Sequence, residues 1–324
     1  MVELDFETVD VFADRAFAGN PLAVVRGAGA LSTAQLQALA SEFNLSETAF
    51  PVVPTPAQTE AGAAYRLRIF TPLTELPFAG HPSVGTAWVL AQHGLLGAGI
   101  GPRSMGGTGQ VLQACPAGLV TVQADASGGR ISAAASATHS APVTAVPVAD
   151  ARAALSAVGL ESADLVDRHH GASYVASAGL PFWFLLVREG AVLRAQASLS
   201  DMIGLAAPQE VSGTPLARLG GVATVAWSDA TSTAHSRVFC PDIGTVEDPA
   251  TGSAALALSA VLVLAGRLPG DGRSSYVVRQ GVEIGRPSKM QCDLDAAGGR
   301  VTNCFVGGKV VPVSSGRIRI PDLP

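Results

Sequence analysis

Four polar side chains of this chain could move protons on a small molecule: Glu47, His81, Asp248 and Ser253. Carboxylates and imidazoles act as general acids and bases, and a serine hydroxyl donates hydrogen bonds. Three of the four lie in or directly after two copies of one motif, E-x-P-x-x-G, which leads into Gly80-His81 and again into Gly252-Ser253. The sequence therefore predicts acid–base chemistry on a duplicated scaffold.

The two motif copies begin at Glu75 and Glu247, and each follows an R-x-F-x-P segment that starts at Arg68 or Arg237. Each copy leads into an apolar segment that stops at a glycine 14 positions after the motif glycine. The pattern predicts a short strand, a loop and a helix in each half. Helix N-termini present unpaired N–H groups, which suit a carboxylate ligand or a developing negative charge. We expect the two helix starts to face each other across one cleft.

Each candidate also has a purely structural interpretation. His81 could cap its helix, and Ser253, which opens a helix, is by default an N-cap. Asp248 precedes a proline, where aspartate is commonly a turn residue. Glu47 lies in Leu45–Thr48, which we predict to be a polar loop, and taken alone it would be interpreted as a solvated loop carboxylate. The duplication favours the functional interpretation, because pseudo-symmetry would bring equivalent helix starts to one place.

Other chemistries have less support. Racemases and epimerases of amino acids can use two opposed thiols as acid and base. The positions directly after the motif glycines hold His81 and Ser253 instead, which disfavours a two-thiol mechanism. The glycine-rich run 97–109 lacks the strand and helix of a nucleotide-binding loop. The pair His169-His170 has no partner at metal-ligand spacing.

Composition limits the class of protein and its partners. With 324 residues, 48% hydrophobic and 15% charged, the chain can bury the cores of two domains. A net charge of −5 without a basic cluster disfavours nucleic acid as a partner. The most apolar run, 254–265, is too short to span a membrane. Four cysteines without paired spacing suit a reducing compartment. We expect a cytoplasmic protein that binds a small molecule.

The sequence pattern also predicts individual elements. Ser32 should cap a helix that ends at Asn44. Segment 111–123 reads as one strand, followed by a turn at Ser127-Gly128-Gly129. Near the end of the chain we predict separate strands at 301–306, 310–313 and 317–320.

The second motif helix is apolar on every face, so it must be surrounded. Strands are the other abundant element. We therefore predict an α+β protein with two pseudo-symmetric lobes, each a curved or barrel-like mixed sheet around a central helix. The predicted boundaries are 1–128 for the first lobe and 129–313 for the second.

Four ordered motifs span the chain: F-A-G-N-P at 17–21, S-E-T-A-F at 46–50, L-P-F-A-G-H-P at 76–82 and D-P-A-T-G-S at 248–253. In these motifs the chain resembles the PhzF-like family, phenazine biosynthesis isomerases and their relatives on the diaminopimelate epimerase fold. The resemblance implies that a C-terminal tail of about 314–324 returns to the first lobe. It also implies a homodimer.

The best-known activity of that family isomerises trans-2,3-dihydro-3-hydroxyanthranilate without a metal or organic cofactor. By resemblance, Glu47 takes a proton from one ring carbon and returns it to another, and His81 and Asp248 assist the transfer. Polar groups of the substrate, including its carboxylate, would be held by Ser253 and the backbone of Gly80 and Gly252, with Asn20 lining the same cleft. A carboxylate with the usual pKa of about 4.3 is a poor base for a carbon acid, so Glu47 should be shielded from water.

Two other functions stay open at the level of sequence. One is an amino acid racemase or epimerase in which Glu47, His81 or Asp248 replaces the usual thiols. The other is a non-catalytic metabolite-binding protein of the same fold, although a mere binder would have little need for both Glu47 and Asp248.

Overall fold

The computed structural model describes residues 3–96, 110–124, 128–134, 143–166, 171–202, 205–207, 217–240 and 245–322. By their internal contacts the residues divide into two compact units. Unit 1 comprises residues 1–132 and 307–324, and unit 2 comprises residues 133–306.

The strands that begin in unit 1 are numbered β1 to β8 in chain order. They are Glu3–Val11, Asn20–Val25, Glu47–Val52, Ala63–Phe70, Glu75–Leu76, Gln110–Cys115, Gly118–Ala124 and Gly128–Ala134. The helices of this unit are α1 (Thr33–Phe43), α2 (Pro56–Glu60) and α3 (Gly80–Gln92), with a 3-10 turn at Ala28–Ala30. The prediction for α1 is confirmed: Ser32 and Gln35 form a capping box, and Asn44 ends the helix with a φ of 49°.

The sheet of unit 1 is mixed. Strand β1 pairs antiparallel with β2, β2 runs parallel to β3, and β3 pairs antiparallel with β4. Strand β4 pairs antiparallel with the short β5 and parallel with β6, which continues through antiparallel β7 and β8. Parallel neighbours need crossover connections, which α1 and α3 supply.

Unit 2 contains strands β9 to β18: Thr144–Pro147, Ser173–Ser177, Pro181–Leu186, Ala206–Ala207, Ala217–Arg218, Gly221–Ser228, Thr233–Cys240, Thr245–Asp248, Gly272–Gln280 and Ser288–Ala297. Its helices are α4 (Arg152–Ala157), α5 (Glu189–Arg194), α6 (Leu199–Met202) and α7 (Gly252–Leu264), with a 3-10 turn at Ser162–Asp164. The last strand, β19 (Arg300–Arg319), begins in unit 2 and enters unit 1 at Gly307, where it pairs antiparallel with β1.

Strand pairing in unit 2 repeats the pattern of unit 1. Strands β10 and β11 are antiparallel, β11 runs parallel to β14, and β14 is antiparallel to β15. Strand β15 pairs antiparallel with the short β16 and parallel with β17, which pairs antiparallel with β18. Strand β9 adds to β10, while β12 and β13 form a small separate ribbon.

Each unit is organised around one buried helix. All residues of α3 from Gly80 to Ala91 are buried, and the helix packs against β1, β2, β3 and β7. Helix α7 packs against β9, β10, β11 and β18, and from Gly252 to Val263 only Ser253 is not fully buried. The predicted arrangement of mixed sheets around central helices is confirmed.

Three local predictions were wrong. Segment 111–123 is a hairpin of β6 and β7 rather than one strand, since the chain turns after Cys115. Gly128 belongs to β8 instead of a turn: a Cβ there would lie 2.1 Å from the Gly308 carbonyl oxygen, so glycine permits close backbone approach. The three predicted C-terminal strands form the single strand β19, because the glycines between them stay extended.

Candidate active site

Glu47 is the first residue of β3, not part of a polar loop as predicted. The parallel register places it opposite Leu22 of β2, so backbone pairing extends to the start of the S-E-T-A-F motif. The residue is 6% exposed. A strand in a buried sheet thus holds the carboxylate away from bulk water, which is the shielding that the sequence led us to expect.

His81 is the second residue of α3 and is 4% exposed. Ala79 is the N-cap and makes no side-chain capping bond, so the interpretation of His81 as a cap is wrong. Its Nε2 atom lies 3.6 Å from Oε2 of Glu47. Unit 1 therefore brings together two of the predicted catalytic side chains.

A hydrogen bond to Pro21 determines which nitrogen of His81 carries the proton. Pro21 has no backbone N–H, so the His81 ring must donate to its carbonyl. Nε2 is buried and makes no hydrogen bond with the described residues, which leaves Nδ1–H as the donor. Burial lowers the pKa of His81 to about 3, opposed by the hydrogen bond to Pro21. The ring is therefore neutral near pH 7 and directs the lone pair of Nε2 towards Glu47.

Asn20 connects the strands that carry these groups. It is fully buried at the start of β2, and its Oδ1 accepts a hydrogen bond of 3.0 Å from Ser46 Oγ, next to Glu47. Gly19 has a φ of +63°, and a Cβ there would lie 2.3 Å from the Val11 carbonyl oxygen. The G-N-P motif therefore makes a turn that only glycine fits, and this turn positions the Pro21 carbonyl.

Asp248 is the last residue of β16 and is 5% exposed. Its Oδ2 accepts a hydrogen bond of 2.6 Å from Thr251 Oγ1, and its backbone carbonyl accepts one of 2.6 Å from Gln280 Nε2. Thr251 is the N-cap of α7, so the default interpretation of Ser253 as the N-cap is wrong. Ser253 follows Gly252 as the second helical residue and is partly exposed.

Thr251 and Gln280 were missed by reasoning from sequence. A signal existed for Gln280, because Tyr276, Val278 and Gln280 alternate on the buried side of β17. A buried amide at an inward position needs hydrogen-bond partners. That signal becomes visible only when the strand and its inward face are known.

Two of the buried cysteines are poor candidates for proton transfer. None of the four forms a disulfide, and all four are buried. Burial raises the pKa of the Cys115 thiol, and it raises the pKa of Cys304 to about 12. Protonated thiols are poor bases and nucleophiles, so these two cysteines are unsuited to proton abstraction.

Two further sequence features and two properties of the described residues complete the description of the site. The glycine-rich run 97–109 and the pair His169-His170 lie outside the described residues. Within the described ranges, no group of three or more His, Cys, Asp or Glu side chains is arranged to hold a metal ion. None of the described helices is long and apolar enough to cross a bilayer.

The chain matches the model of the PhzC-PhzF family, described as phenazine biosynthesis-like protein, over residues 9–316. It is 34% identical to an uncharacterized isomerase of Mesorhizobium japonicum, over 96% of this chain and 97% of the relative. It is 31% identical to the trans-2,3-dihydro-3-hydroxyanthranilate isomerase of Pseudomonas chlororaphis, again over 96% and 97% of the two chains.

A solved structure shares the fold. The crystal structure of a PhzF-family phenazine biosynthesis protein from Bacillus anthracis matches with a TM-score of 0.78 at 22% identity, covering 99% of this chain and 100% of the other. Both the family motifs and the fold predicted from them are therefore confirmed. The chain belongs to the PhzC-PhzF family of phenazine biosynthesis-like proteins and is an isomerase.

Proposed function

We propose that this isomerase moves a proton between two carbons of a small, carboxylate-bearing cyclic substrate, as in trans-2,3-dihydro-3-hydroxyanthranilate, with Glu47 as the proton carrier. Glu47 breaks one C–H bond and takes the proton, the electron pair moves through the adjacent double bond, and the same proton is returned to another carbon. Atoms and charge balance without an external acid. One carboxylate thus serves first as base and then as acid.

The observation that carries this proposal is the buried pair of Glu47 and His81. A neutral imidazole with its lone pair on Nε2 accepts a hydrogen bond from a protonated carboxyl, whereas it gives no charge stabilisation to a carboxylate. His81 therefore favours Glu47 in the state that holds the substrate proton. The separation of 3.6 Å is longer than a hydrogen bond, and catalytic hydrogen bonds often tighten only in the complex with substrate.

The other predicted site residues have supporting roles in this proposal. Asp248 assists proton transfer on the substrate, and Ser253 with the Gly80 and Gly252 N–H groups binds the substrate carboxylate. The first turns of α3 and α7 have no side-chain capping bond, which supports this assignment. Asn20 supports the turn that fixes His81, and we propose that it also lines the substrate site.

Hydrogen exchange in deuterated water tests the proposal. The wild-type protein should isomerise trans-2,3-dihydro-3-hydroxyanthranilate, and NMR should show part of the migrating hydrogen retained. Glu47→Gln should lower kcat/KM roughly 10³-fold to 10⁴-fold while the unfolding temperature and ligand binding are kept. Glu60→Gln, on the exposed end of α2, is the matched control and should leave the rate unchanged.

The same assay separates the rival functions when a panel of small cyclic and amino acids is used. A racemase or epimerase would remove the optical rotation of a single enantiomer without forming a constitutional isomer. A binding protein would show a ligand that raises the unfolding temperature and never exchanges its C–H hydrogens. An undiminished rate in Glu47→Gln would remove Glu47 from the mechanism.

We further propose a cytoplasmic homodimer. The four buried cysteines, none of which forms a disulfide, support a reducing compartment. Light scattering should give twice the chain mass of 32.8 kDa. A mass of one chain at assay concentrations would exclude the dimer.

A further inference from the structure

A buried side-chain network in unit 2 holds the second motif copy. Gln280, the last residue of β17, is 1% exposed. Its Nε2 donates to the Asp248 carbonyl at 2.6 Å and to Thr251 Oγ1 at 2.9 Å, and its Oε1 accepts from the Thr251 N–H at 3.3 Å. One amide therefore contacts both ends of the turn between β16 and α7.

The donor and the acceptor of each hydrogen bond in this network can be assigned. A backbone carbonyl can only accept and a backbone N–H can only donate, so the orientation of the Gln280 amide is fixed. Because Nε2 donates to Thr251 Oγ1, the hydroxyl proton of Thr251 points to Oδ2 of Asp248, 2.6 Å away. Oδ2 is thereby held as an acceptor, and the carboxylate is fixed in one orientation.

The backbone beside Gln280 is fitted to this turn. Gly281 has a φ of +73°, and a Cβ there would lie 2.7 Å from the Pro249 carbonyl oxygen. Ser288 Oγ donates to the Gln280 carbonyl at 3.1 Å. Close backbone contact on one side and a hydrogen bond on the other keep the amide in register with Asp248.

The fold itself does not require this network. Unit 1 contains the same strand, turn and helix, with β6 pairing parallel to β4 as β17 pairs with β15. At the three equivalent positions unit 1 carries side chains that cannot form the network: Leu76, Ala79 and Cys115. The equivalent turn of unit 1 forms without these three polar side chains. Their presence in unit 2 therefore indicates a role in chemistry.

We propose that Thr251 and Gln280 are positioning residues that orient the Asp248 carboxylate and keep its Oδ2 as a hydrogen-bond acceptor during proton transfer. This inference rests on the proposed function in one respect, namely that Asp248 acts on the substrate. The positioning itself can be measured without any substrate.

The first measurement follows the Asp248 carboxyl carbon by NMR in protein labelled with ¹³C at aspartate, with Asp248→Asn used for assignment. In Thr251→Val the carboxylate loses its hydroxyl donor, and the midpoint of its titration should move to higher pH by roughly one to two units. Gln280→Met should move it in the same direction. Thr251→Ser should restore the wild-type midpoint, since it restores the hydroxyl.

The second measurement is isomerase kinetics on trans-2,3-dihydro-3-hydroxyanthranilate. Thr251→Val and Gln280→Met should lower kcat roughly tenfold to a hundredfold with little change in KM, because the loss is one of orientation. Two variants make the same chemical changes on exposed strand positions of unit 2 and should behave as wild type: Thr302→Val and Gln291→Met. If Gln280→Met unfolds below the assay temperature, the size-matched Thr251→Val carries the test.

The outcomes separate this inference from the proposed function. An unchanged Asp248 titration in Thr251→Val overturns the inference, whatever the kinetics. A shifted titration in a protein whose wild type does not turn over the substrate supports the positioning and overturns the proposed function. Loss of kcat in Thr251→Val with recovery in Thr251→Ser supports both.

Discussion

The motif segments of unit 1 and unit 2 fold alike down to individual contacts. Arg68 forms a bidentate ion pair with Glu75 at 2.8 and 2.7 Å, and Arg237 forms one with Glu247 at 2.9 and 2.6 Å. Each guanidinium also lies over the phenylalanine ring two positions on, at 5.1 and 5.0 Å. The duplicated sequence thus encodes a duplicated scaffold.

The strand register reveals a third repeated motif, in addition to R-x-F-x-P and E-x-P-x-x-G. Leu22 lies opposite Glu47 in unit 1, and Phe182 lies opposite Gly221 in unit 2. Glu47 and Gly221 each precede the residue that pairs with the motif phenylalanine, so they are equivalent. Leu22 and Phe182 both follow Ala-Gly-x-Pro, where x is asparagine in unit 1 and leucine in unit 2.

The side chains that could handle protons are not duplicated. Where unit 1 has Glu47, unit 2 has Gly221, at which a Cβ would lie 2.4 Å from the Phe239 carbonyl oxygen. Conversely, Asp248 of unit 2 corresponds to Leu76 of unit 1. The scaffold therefore repeats, whereas the side chains proposed to handle protons differ between the two halves.

The largest expected effect tests whether these unlike halves serve one reaction. Glu47→Gln should lower kcat/KM roughly 10³-fold to 10⁴-fold, and Asp248→Asn roughly 10²-fold. If both act in the same proton transfer, the double variant should be hardly slower than Glu47→Gln alone, because groups that act as a unit are non-additive. Initial rates of the four proteins measure this.

If the two losses of kcat/KM multiply in the double variant, Glu47 and Asp248 do not act in one shared step. Circular dichroism and the unfolding temperature must match wild type in all four proteins, so that the rates report chemistry. Glu42→Gln, at an exposed position of α1, is the control for removing a carboxylate.

The next effect concerns stability and separates the two arginines. The side chains of Arg237 and Glu247 are 10% and 8% exposed, against 16% and 27% for Arg68 and Glu75. Arg237→Met removes the guanidinium from a buried carboxylate and should reduce the free energy of unfolding by about 3–5 kcal/mol. Arg68→Met should cost about 1 kcal/mol, since water reaches Glu75. Urea denaturation of both variants measures the difference.

Two further hydrogen-bond acceptors should increase the loss of stability in Arg237→Met. Arg237 Nη1 donates to the carbonyls of Val192 and Ala195 at the end of α5, at 3.1 and 2.7 Å, and these lose their donor in Arg237→Met. Arg68 instead donates to the hydroxyl of Thr33. Equal losses in the two variants would show that burial does not distinguish the two ion pairs.

The sequence predicted the scaffold better than the details of the site. Motif repetition and the all-apolar helix α7 were enough for the fold, because a helix without a polar face must be surrounded. The position of Glu47 was misjudged because Ser46 and Thr48 gave it a loop-like polar setting. Parallel pairing with β2, which local sequence does not encode, draws these residues into the sheet.

The hydrogen-bond partners of His81 and Asp248 could not be predicted from the sequence, for the same reason. Pro21 lies 60 positions before His81, and Gln280 lies 32 positions after Asp248. No local spacing relates such residues until the strand register is known. The Ala-Gly-x-Pro repeat was visible in the sequence, but its spacing from the arginine motif differs between the halves, which concealed it.

The smallest of the three effects is the pH dependence of stability that His81 confers on unit 1. Burial lowers the pKa of His81 from 6.5 to about 3, so below pH 6.5 the unfolded chain takes up a proton that the folded chain does not. The contribution of neutral His81 to the free energy of unfolding is therefore fully present above pH 6.5 and is lost as the pH falls towards 3. Between pH 7 and pH 5 the loss should be about 2 kcal/mol.

Removing the histidine should remove this loss. In His81→Asn the free energy of unfolding should fall by about 2 kcal/mol less between pH 7 and pH 5 than in wild type, while any cavity cost is the same at both pH values. Equal slopes in wild type and His81→Asn would mean that His81 is charged in the folded protein, and its Nε2 could then no longer accept a proton from Glu47.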